Sequence, residues 1–161
     1  MANPDRPQGL VPADRPRQVT EYVAGAAIYP GDAVRMQDDG KVDPAAASEA
    51  LLGIALSYAA ADGDKVLVCD DPDQRYVVQA DGADIDAQTD IGLNYDILAT
   101  AGDSTYKVSR MEMDSSTGAT TATLPLRLLS VGRRIDNEFG AQAECVVKIN
   151  AAQLGSNSAG L

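Results

Sequence analysis

Short apolar runs alternate with tight polar turns along most of this chain. The turns at Gly31-Asp32 and Gly63-Asp64 each lead directly into a β-prone run. Glycine supplies the positive φ that such turns need, and the aspartate side chain can accept a hydrogen bond from the backbone just ahead. This spacing predicts a mainly β protein, a small β-barrel or sandwich with at most short helices. The clearest strand-like runs are residues 53–58, 65–70, 75–80 and 143–149.

Other segments have weaker patterns. Residues 105–110 alternate and predict a strand, and residues 124–131 predict a strand that starts at a sheet edge because Pro cannot donate to a ladder. Residues 91–98 fit either a strand or a short helix. The alanine-rich stretch 44–52 predicts one short helical turn, and residues 114–121 predict an exposed polar loop.

The ends of the chain differ in composition from its middle. We expect an extended Pro-rich N-terminal arm over residues 1–18, a β domain over 19–150 and a flexible tail over 151–161. The four prolines of the first segment exclude a helix, so it is either a disordered tail or an arm that lies across a neighbouring molecule. In the second case the residues that contact that neighbour would be Arg6, Leu10, Val11, Arg15 and Arg17.

The charge is strongly uneven. The chain has a net charge of −11, and residues 31–96 hold fifteen acidic and four basic residues, which accounts for all of it. Because nucleic acids and anionic membranes need a basic surface, we expect neither as a direct partner. The acidic segment is either a solvated outer face or a surface that meets a basic partner.

Candidate chemistry is sparse. The chain contains no His, which excludes the usual Ser-His-Asp and Cys-His catalysis and most zinc sites. Residues 81–86 resemble a calcium loop, but the Gly comes too early and the distal Glu is missing, so an acidic turn is the better interpretation. No nucleotide-binding motif occurs. We therefore predict no catalytic, metal or cofactor site and no enzymatic activity.

The cysteines and apolar residues indicate what kind of core the protein has and whether it contains membrane-directed segments. Cys69 and Cys145 each adjoin Val or Leu, which predicts small buried thiols; a disulfide is not favoured. With 4% aromatic residues the core must be built from Val, Leu, Ile and Ala, and so thin a core favours self-association. Residues 1–20 lack an apolar segment, so we expect no signal peptide, and no run is long enough to span a membrane.

The ordered series of turns and strands resembles a known family. The segments that carry the resemblance are residues 1–4, 29–34, 38–42, 52–68, 70–79 and 143–150. Together they are similar to the structural cement, or head decoration, proteins of tailed bacteriophages. The resemblance implies a β-rich protein, often a homotrimer, that is made in the host cytoplasm and binds the major capsid protein on the outer surface of the virion. It would stabilise the capsid against internal DNA pressure.

Other functions remain open at this point. The chain could be another virion component, such as a head-fibre base, a tail protein or a minor capsid protein. A carbohydrate-binding β-module is less favoured, because sugars usually stack on aromatic faces and the chain has no Trp. A carboxylate-based enzyme has no motif in its favour.

Overall fold

The computed structural model describes residues 3–155 and 160. Among these residues eleven strands form, no α-helix forms, and a single 3-10 turn spans Gln88–Asp90. The strands are β1 Val11–Pro12, β2 Val19–Val23, β3 Ala33–Met36, β4 Val42–Pro44, β5 Gly53–Ala55, β6 Lys65–Cys69, β7 Arg75–Gln79, β8 Asn94–Leu98, β9 Glu112–Ala119, β10 Leu126–Val131 and β11 Glu144–Ile149.

The strands form two antiparallel sheets. One has six strands in the order β1-β7-β11-β10-β8-β9, and the other has five in the order β2-β6-β5-β3-β4. An isolated bridge between Ala24 and Val42 curls the five-stranded sheet, but neither ladder closes on itself. The prediction of a mainly β protein is therefore confirmed, whereas a closed barrel is not shown.

The large core draws on both sheets. It contains the two most voluminous buried side chains, Tyr76 and Tyr95, and both cysteines, which are free and fully buried as the sequence predicted. In β11 buried residues alternate with more exposed ones along the whole strand, and β7 and β10 alternate in the same way over residues 75–78 and 126–128. Most of the aromatic and long aliphatic packing lies in this core.

A second, smaller core lies on the other face of the five-stranded sheet. It is made of Val and Ala with Ile28 and Leu52, and it packs Val34, Val66 and Val68 from the sheet. Because β5 contributes Ile54 to the large core and Ala55 to the small one, this sheet is buried on both faces there. This burial explains why residues 51–55 are continuously apolar rather than alternating.

The N-terminal segment lies along its own domain, and the predicted extended arm is not shown. Leu10 is 1% exposed in the large core, and its backbone N–H donates to Gly31 O at 2.9 Å. The next two residues form β1, in which Val11 lies opposite Val77 of β7. Prolines limit β1 to two residues at the sheet edge, where a missing N–H costs no ladder bond.

Several sequence predictions are corrected. Residues 105–110 form no strand, because Asp103 accepts the amides of Thr105 and Tyr106 and closes a turn. The polar segment 114–121 is largely strand, since β9 pairs with β8 at Asp114 opposite Asp96 and at Ala119 opposite Asn94. Residues 44–52 contain no helical turn. The ambiguous segment 91–98 contains strand β8, and the strands predicted at 53–58, 65–70, 75–80, 124–131 and 143–149 are confirmed in shorter form.

The C-terminal segment is described only in part. Residues 151–155 turn back onto the body, where Gln153 N–H donates to Leu51 O at 2.8 Å and the Gln153 side chain bonds the backbone of Met36. Residues 156–159 and 161 of the predicted flexible tail lie outside the described residues.

Candidate functional site

A row of valines crosses the outward face of the six-stranded sheet. The register sets Val11 of β1 opposite Val77 of β7, and Val77 opposite Val146 of β11. Residues directly opposite each other project from the same face, with Cβ atoms about 5 Å apart. Val11 is 42% exposed, and the other two are half-buried. The sheet therefore presents a continuous apolar stripe that begins at its edge.

A row of basic side chains runs beside the valines. Arg75, two residues before Val77 in β7, lies opposite Lys148, which is two residues after Val146 in β11. Lys148 in turn lies opposite Arg127 of β10. We call these six residues, Val11, Val77, Val146, Arg75, Lys148 and Arg127, the valine–arginine face. Because like charges at directly opposed positions destabilise a sheet, strand pairing by itself does not favour this row.

Ion pairs within the chain neutralise only part of the basic row. Lys148 Nζ lies 3.0 Å from Asp73 Oδ1, and this bond holds the pKa of the Asp73 carboxyl below its usual range. Arg127 Nε donates to Asn94 Oδ1 at 2.9 Å, a neutral acceptor. Within residues 3–155, neither Arg75 nor Arg127 has a carboxylate partner. Their charges remain available to an acidic partner.

The structure brings part of the sequence-predicted contact set to this face. Val11 belongs to it, and Arg15 is exposed in the β1–β2 connection without an ion pair to any described residue. Arg17 is already engaged: its Nε lies 3.1 Å from Asp71 Oδ2, and its guanidinium also donates to Asp73 O at 2.7 Å. Arg17 therefore positions the connection rather than offering a free charge.

Two of the predicted contact residues lie elsewhere. Leu10 is a core residue, so its proposed role as a surface anchor is corrected. Arg6 is exposed at the far side of the valine row, where its backbone N–H donates to Gln79 Oε1 at 2.7 Å. It borders a polar cleft of about 190 Å³ that also contains Arg134 and Glu144. Arg6 thus flanks the face without belonging to it.

Sequence reasoning missed most of the valine–arginine face, although the signal was present. The strands containing Val77 and Val146 were identified, and each also places a basic residue, Arg75 or Lys148, two positions away from its valine. That spacing puts the valine and the basic residue on the same side of a strand. Only the pairing of β7 with β11 and of β11 with β10 aligns these positions into rows.

The acidic turns lie on the other sheet. Asp38 and Asp39 follow β3, and Asp62 and Asp64 precede β6; all four are exposed. Lys41 Nζ lies 2.6 Å from Asp62 Oδ1 and neutralises one of them. These turns place exposed negative charge on the five-stranded sheet, while Asp73 lies within the basic row as the partner of Lys148.

Two features that could support chemistry are a cluster of metal ligands and a reactive thiol. No group of three or more Cys, Asp or Glu side chains in that part of the chain is placed to hold a metal ion. Burial raises the pKa of the Cys145 thiol to about 12 and also raises that of Cys69, so neither is an activated nucleophile. In the same residues no helix is both long and apolar enough to cross a membrane.

The sequence matches no protein-family model, and no curated protein is similar to it. Function is therefore inferred from the valine–arginine face and from the resemblance carried by the ordered turns and strands.

Proposed function

We propose that this protein is a structural cement or decoration protein that binds the outer surface of a bacteriophage capsid and stabilises it against internal DNA pressure. The observation that carries the proposal is the valine–arginine face, in which Arg75 and Arg127 have no carboxylate partner among the described residues and lie beside an exposed apolar stripe. This composition suits docking onto a partner with apolar and acidic residues. The resemblance to decoration proteins supplies the identity of that partner, the major capsid protein.

The energetics favour many weak contacts. Fully burying one valine contributes about 1.5 kcal/mol, so three half-buried valines offer only modest affinity for each copy. The unpaired arginines add charge steering and specificity. Many copies that bridge the seams between capsid subunits would together raise the work needed to open any seam.

The extended arm of the sequence prediction is retained here in a shorter form. Residues 13–18 connect the two sheets and run beside the basic row, with Ala13 N–H donating to Arg75 O at 3.0 Å. We propose this connection, with exposed Arg15, as the part of the N-terminal segment that contacts the capsid. Self-association as a homotrimer is the proposed assembly on the particle.

The test measures binding of the purified protein to empty expanded shells. The double substitution Val11→Thr with Val77→Thr keeps the β-branched shape but adds polarity, and we expect binding to weaken about tenfold or more. The matched control is Val19→Thr with Leu67→Thr, which alters exposed apolar residues on the outward face of the other sheet. The proposal that this face binds the shell would be refuted if both double variants lost shell binding equally, or if the Val11→Thr with Val77→Thr variant lost none.

A second pair of variants tests the charges. The double substitution Arg75→Glu with Arg127→Glu replaces two positive charges with negative ones. It should weaken shell binding by a similar factor, and the binding that remains should depend less on salt because the attraction to acidic groups is lost. Lys65→Glu is the control, since Lys65 lies on the five-stranded sheet. Binding of the Arg variants to shells at the wild-type level would contradict the proposal, as would tighter binding to nucleic acid than to shells.

Another virion component, such as a head-fibre base, a tail protein or a minor capsid protein, is the alternative. Electron microscopy of particles with and without the protein separates these positions, since a cement protein covers the shell surface. Carbohydrate binding has less support, because Lys107 Nζ already covers the Tyr58 ring, 4.8 Å from its centroid. Binding of the purified protein to a glycan array would support the carbohydrate-binding alternative.

A further inference from the structure

A groove of about 490 Å³ opens between three surface segments, residues 26–29, 44–46 and 99–102. Its walls are mostly small and apolar, and Gly102 packs directly against the Tyr29 ring at one end. Tyr29 in turn contacts Tyr58, with ring centroids 5.4 Å apart. We call this feature the alanine groove, after the residues that line it: Ala26, Ala27, Ala45, Ala46, Ala99 and Ala101.

A buried carboxylate also lines the alanine groove. Asp32 is 2% exposed, and its Oδ2 accepts the Tyr29 N–H at 2.9 Å. Its Oδ1 is buried, and no donor among the described residues reaches it with hydrogen-bonding geometry. Burial raises the pKa of Asp32, opposed by the neighbouring Ser109 hydroxyl and Tyr29 amide. A buried acceptor without a partner is costly, so a cationic donor entering from the groove would be strongly favoured.

The loop between β10 and β11 presents the complementary chemistry. Ile135 is fully exposed, and Arg133 is exposed without an ion pair to any residue in the described ranges. The neighbouring Arg134 is held at 2.9 Å from Asp136 and at 2.8 Å from Glu144. Asn137 Nδ2 closes the loop by donating to Gly132 O at 2.8 Å. Arg133 and Ile135 therefore project from a loop that is already ordered, and we call them the knob.

We propose that the knob of one copy docks into the alanine groove of a second copy, with Ile135 against the alanines and Arg133 paired with Asp32. The charges are complementary, and the guanidinium of Arg133 supplies the donor that Asp32 Oδ1 lacks among the described residues. Such a contact joins two different surfaces, so it is head-to-tail and closes into a ring where the rotation allows. The tyrosines at the groove rim suit an interface, where this residue type is enriched. The contact deepens the self-association included in the proposed function.

Sedimentation velocity of the full chain over a concentration series tests the contact. We expect the wild type to self-associate, and the double variant Arg133→Glu with Ile135→Asp to remain monomeric where the wild type does not. Ala101→Glu, which places a charge on the exposed wall of the groove, should have the same effect. Leu154→Asp is the matched control, since Leu154 is also an exposed aliphatic residue outside both surfaces, and it should associate like the wild type. Unchanged melting temperatures show that the variants fold.

Mixing the variants distinguishes this contact from any symmetric one. The groove-blocked variant still has its knob, and the knob-less variant still has its groove, so an equimolar mixture should form heterodimers and nothing larger. No heterodimer in the mixture, a monomeric wild type at every concentration, or wild-type association of either variant would overturn the proposal. A monomeric chain that binds shells would refute this contact alone, and an associating chain that ignores shells would refute the proposed function alone.

Asp32 itself can be tested with a conservative change. Asp32→Asn keeps an acceptor for the Tyr29 amide but removes the charge that Arg133 would meet. We expect it to weaken association about tenfold or more while the fold is retained. Association equal to that of the wild type would show that the carboxylate plays no part in the contact.

Discussion

The outward faces of the two sheets contain similar residues but arrange their charges in opposite ways. On the five-stranded sheet, Glu21 lies opposite exposed Leu67, and Lys65 Nζ approaches Glu21 Oε1 at 3.6 Å. On the six-stranded sheet, Arg75, Lys148 and Arg127 lie directly beside one another. Opposite charges across strands stabilise a sheet and like charges destabilise it. The paired charges on the five-stranded sheet are the arrangement that stability alone favours. The row of like charges on the six-stranded sheet is better explained by contact with an acidic partner.

The two sheets also differ in how they are buried. The six-stranded sheet packs its aromatic and long aliphatic residues on one side. On the other side Val11, Arg75 and Arg127 are exposed, although Asn94 and Asp96 of β8 are buried. The five-stranded sheet is covered on both sides in its centre, by the large core and by the small core of Val and Ala. The six-stranded sheet therefore has an exposed patch of apolar and basic residues, while the centre of the five-stranded sheet is enclosed by the two cores.

Gly53→Ala should have the largest effect on stability, because Gly53 lies in the centre of the five-stranded sheet, where both faces are buried. An added methyl group would overlap the Cys69 carbonyl oxygen and come within 3.0 Å of Asp70 Cα. Neighbouring backbone cannot move aside cheaply, so we expect a loss of about 3 kcal/mol or more in the free energy of unfolding, measured by urea denaturation. Gly40→Ala is the control: Gly40 has a φ of +79° but open space around it, and should cost only about 1 kcal/mol. Equal losses would show that the close approach at Gly53 is unimportant.

Leu10→Ala tests whether the N-terminal segment belongs to the six-stranded half. Removing this buried side chain leaves a cavity in the large core and should cost about 2–5 kcal/mol of the free energy of unfolding. Its neighbour Val11 is exposed on the other side of the strand, so Val11→Ala should change stability by less than about 0.5 kcal/mol. A Leu10→Ala variant as stable as the wild type would mean that the segment is a detached arm in solution.

Arg75→Gln should have the smallest effect, and its sign decides the comparison of the two faces. Removing one of three adjacent positive charges should raise stability by about 0.2–1 kcal/mol, and the gain should shrink as salt is added. Lys65→Gln on the other sheet breaks an exposed ion pair and should lower stability by no more than about 1 kcal/mol. Chemical denaturation at low and high salt measures both. A loss of stability in Arg75→Gln would show that the basic row serves the fold after all.

Local patterns in the sequence determined the mainly β class, most of the strands and the two buried cysteines. Apolar alternation and Gly-Asp turns act over a few neighbouring residues, so they can be recognised without knowing what the chain packs against. The absence of His limited the chemistry in the same direct way. Local patterns predicted the wrong structure where residues distant in the chain form hydrogen bonds. The polar segment 114–121 is largely strand because its backbone pairs with β8.

Only the tertiary structure decided which residues share a surface. Arg75, Lys148 and Arg127 come from separate strands, and the ladder register alone puts them side by side. A shift of one residue in that register would turn the whole row inward. The Pro-rich sequence around Leu10 likewise predicts a surface anchor, whereas the structure buries Leu10 in the large core. Local composition sets what each strand prefers, but the pairing of strands far apart in the chain sets what each face presents.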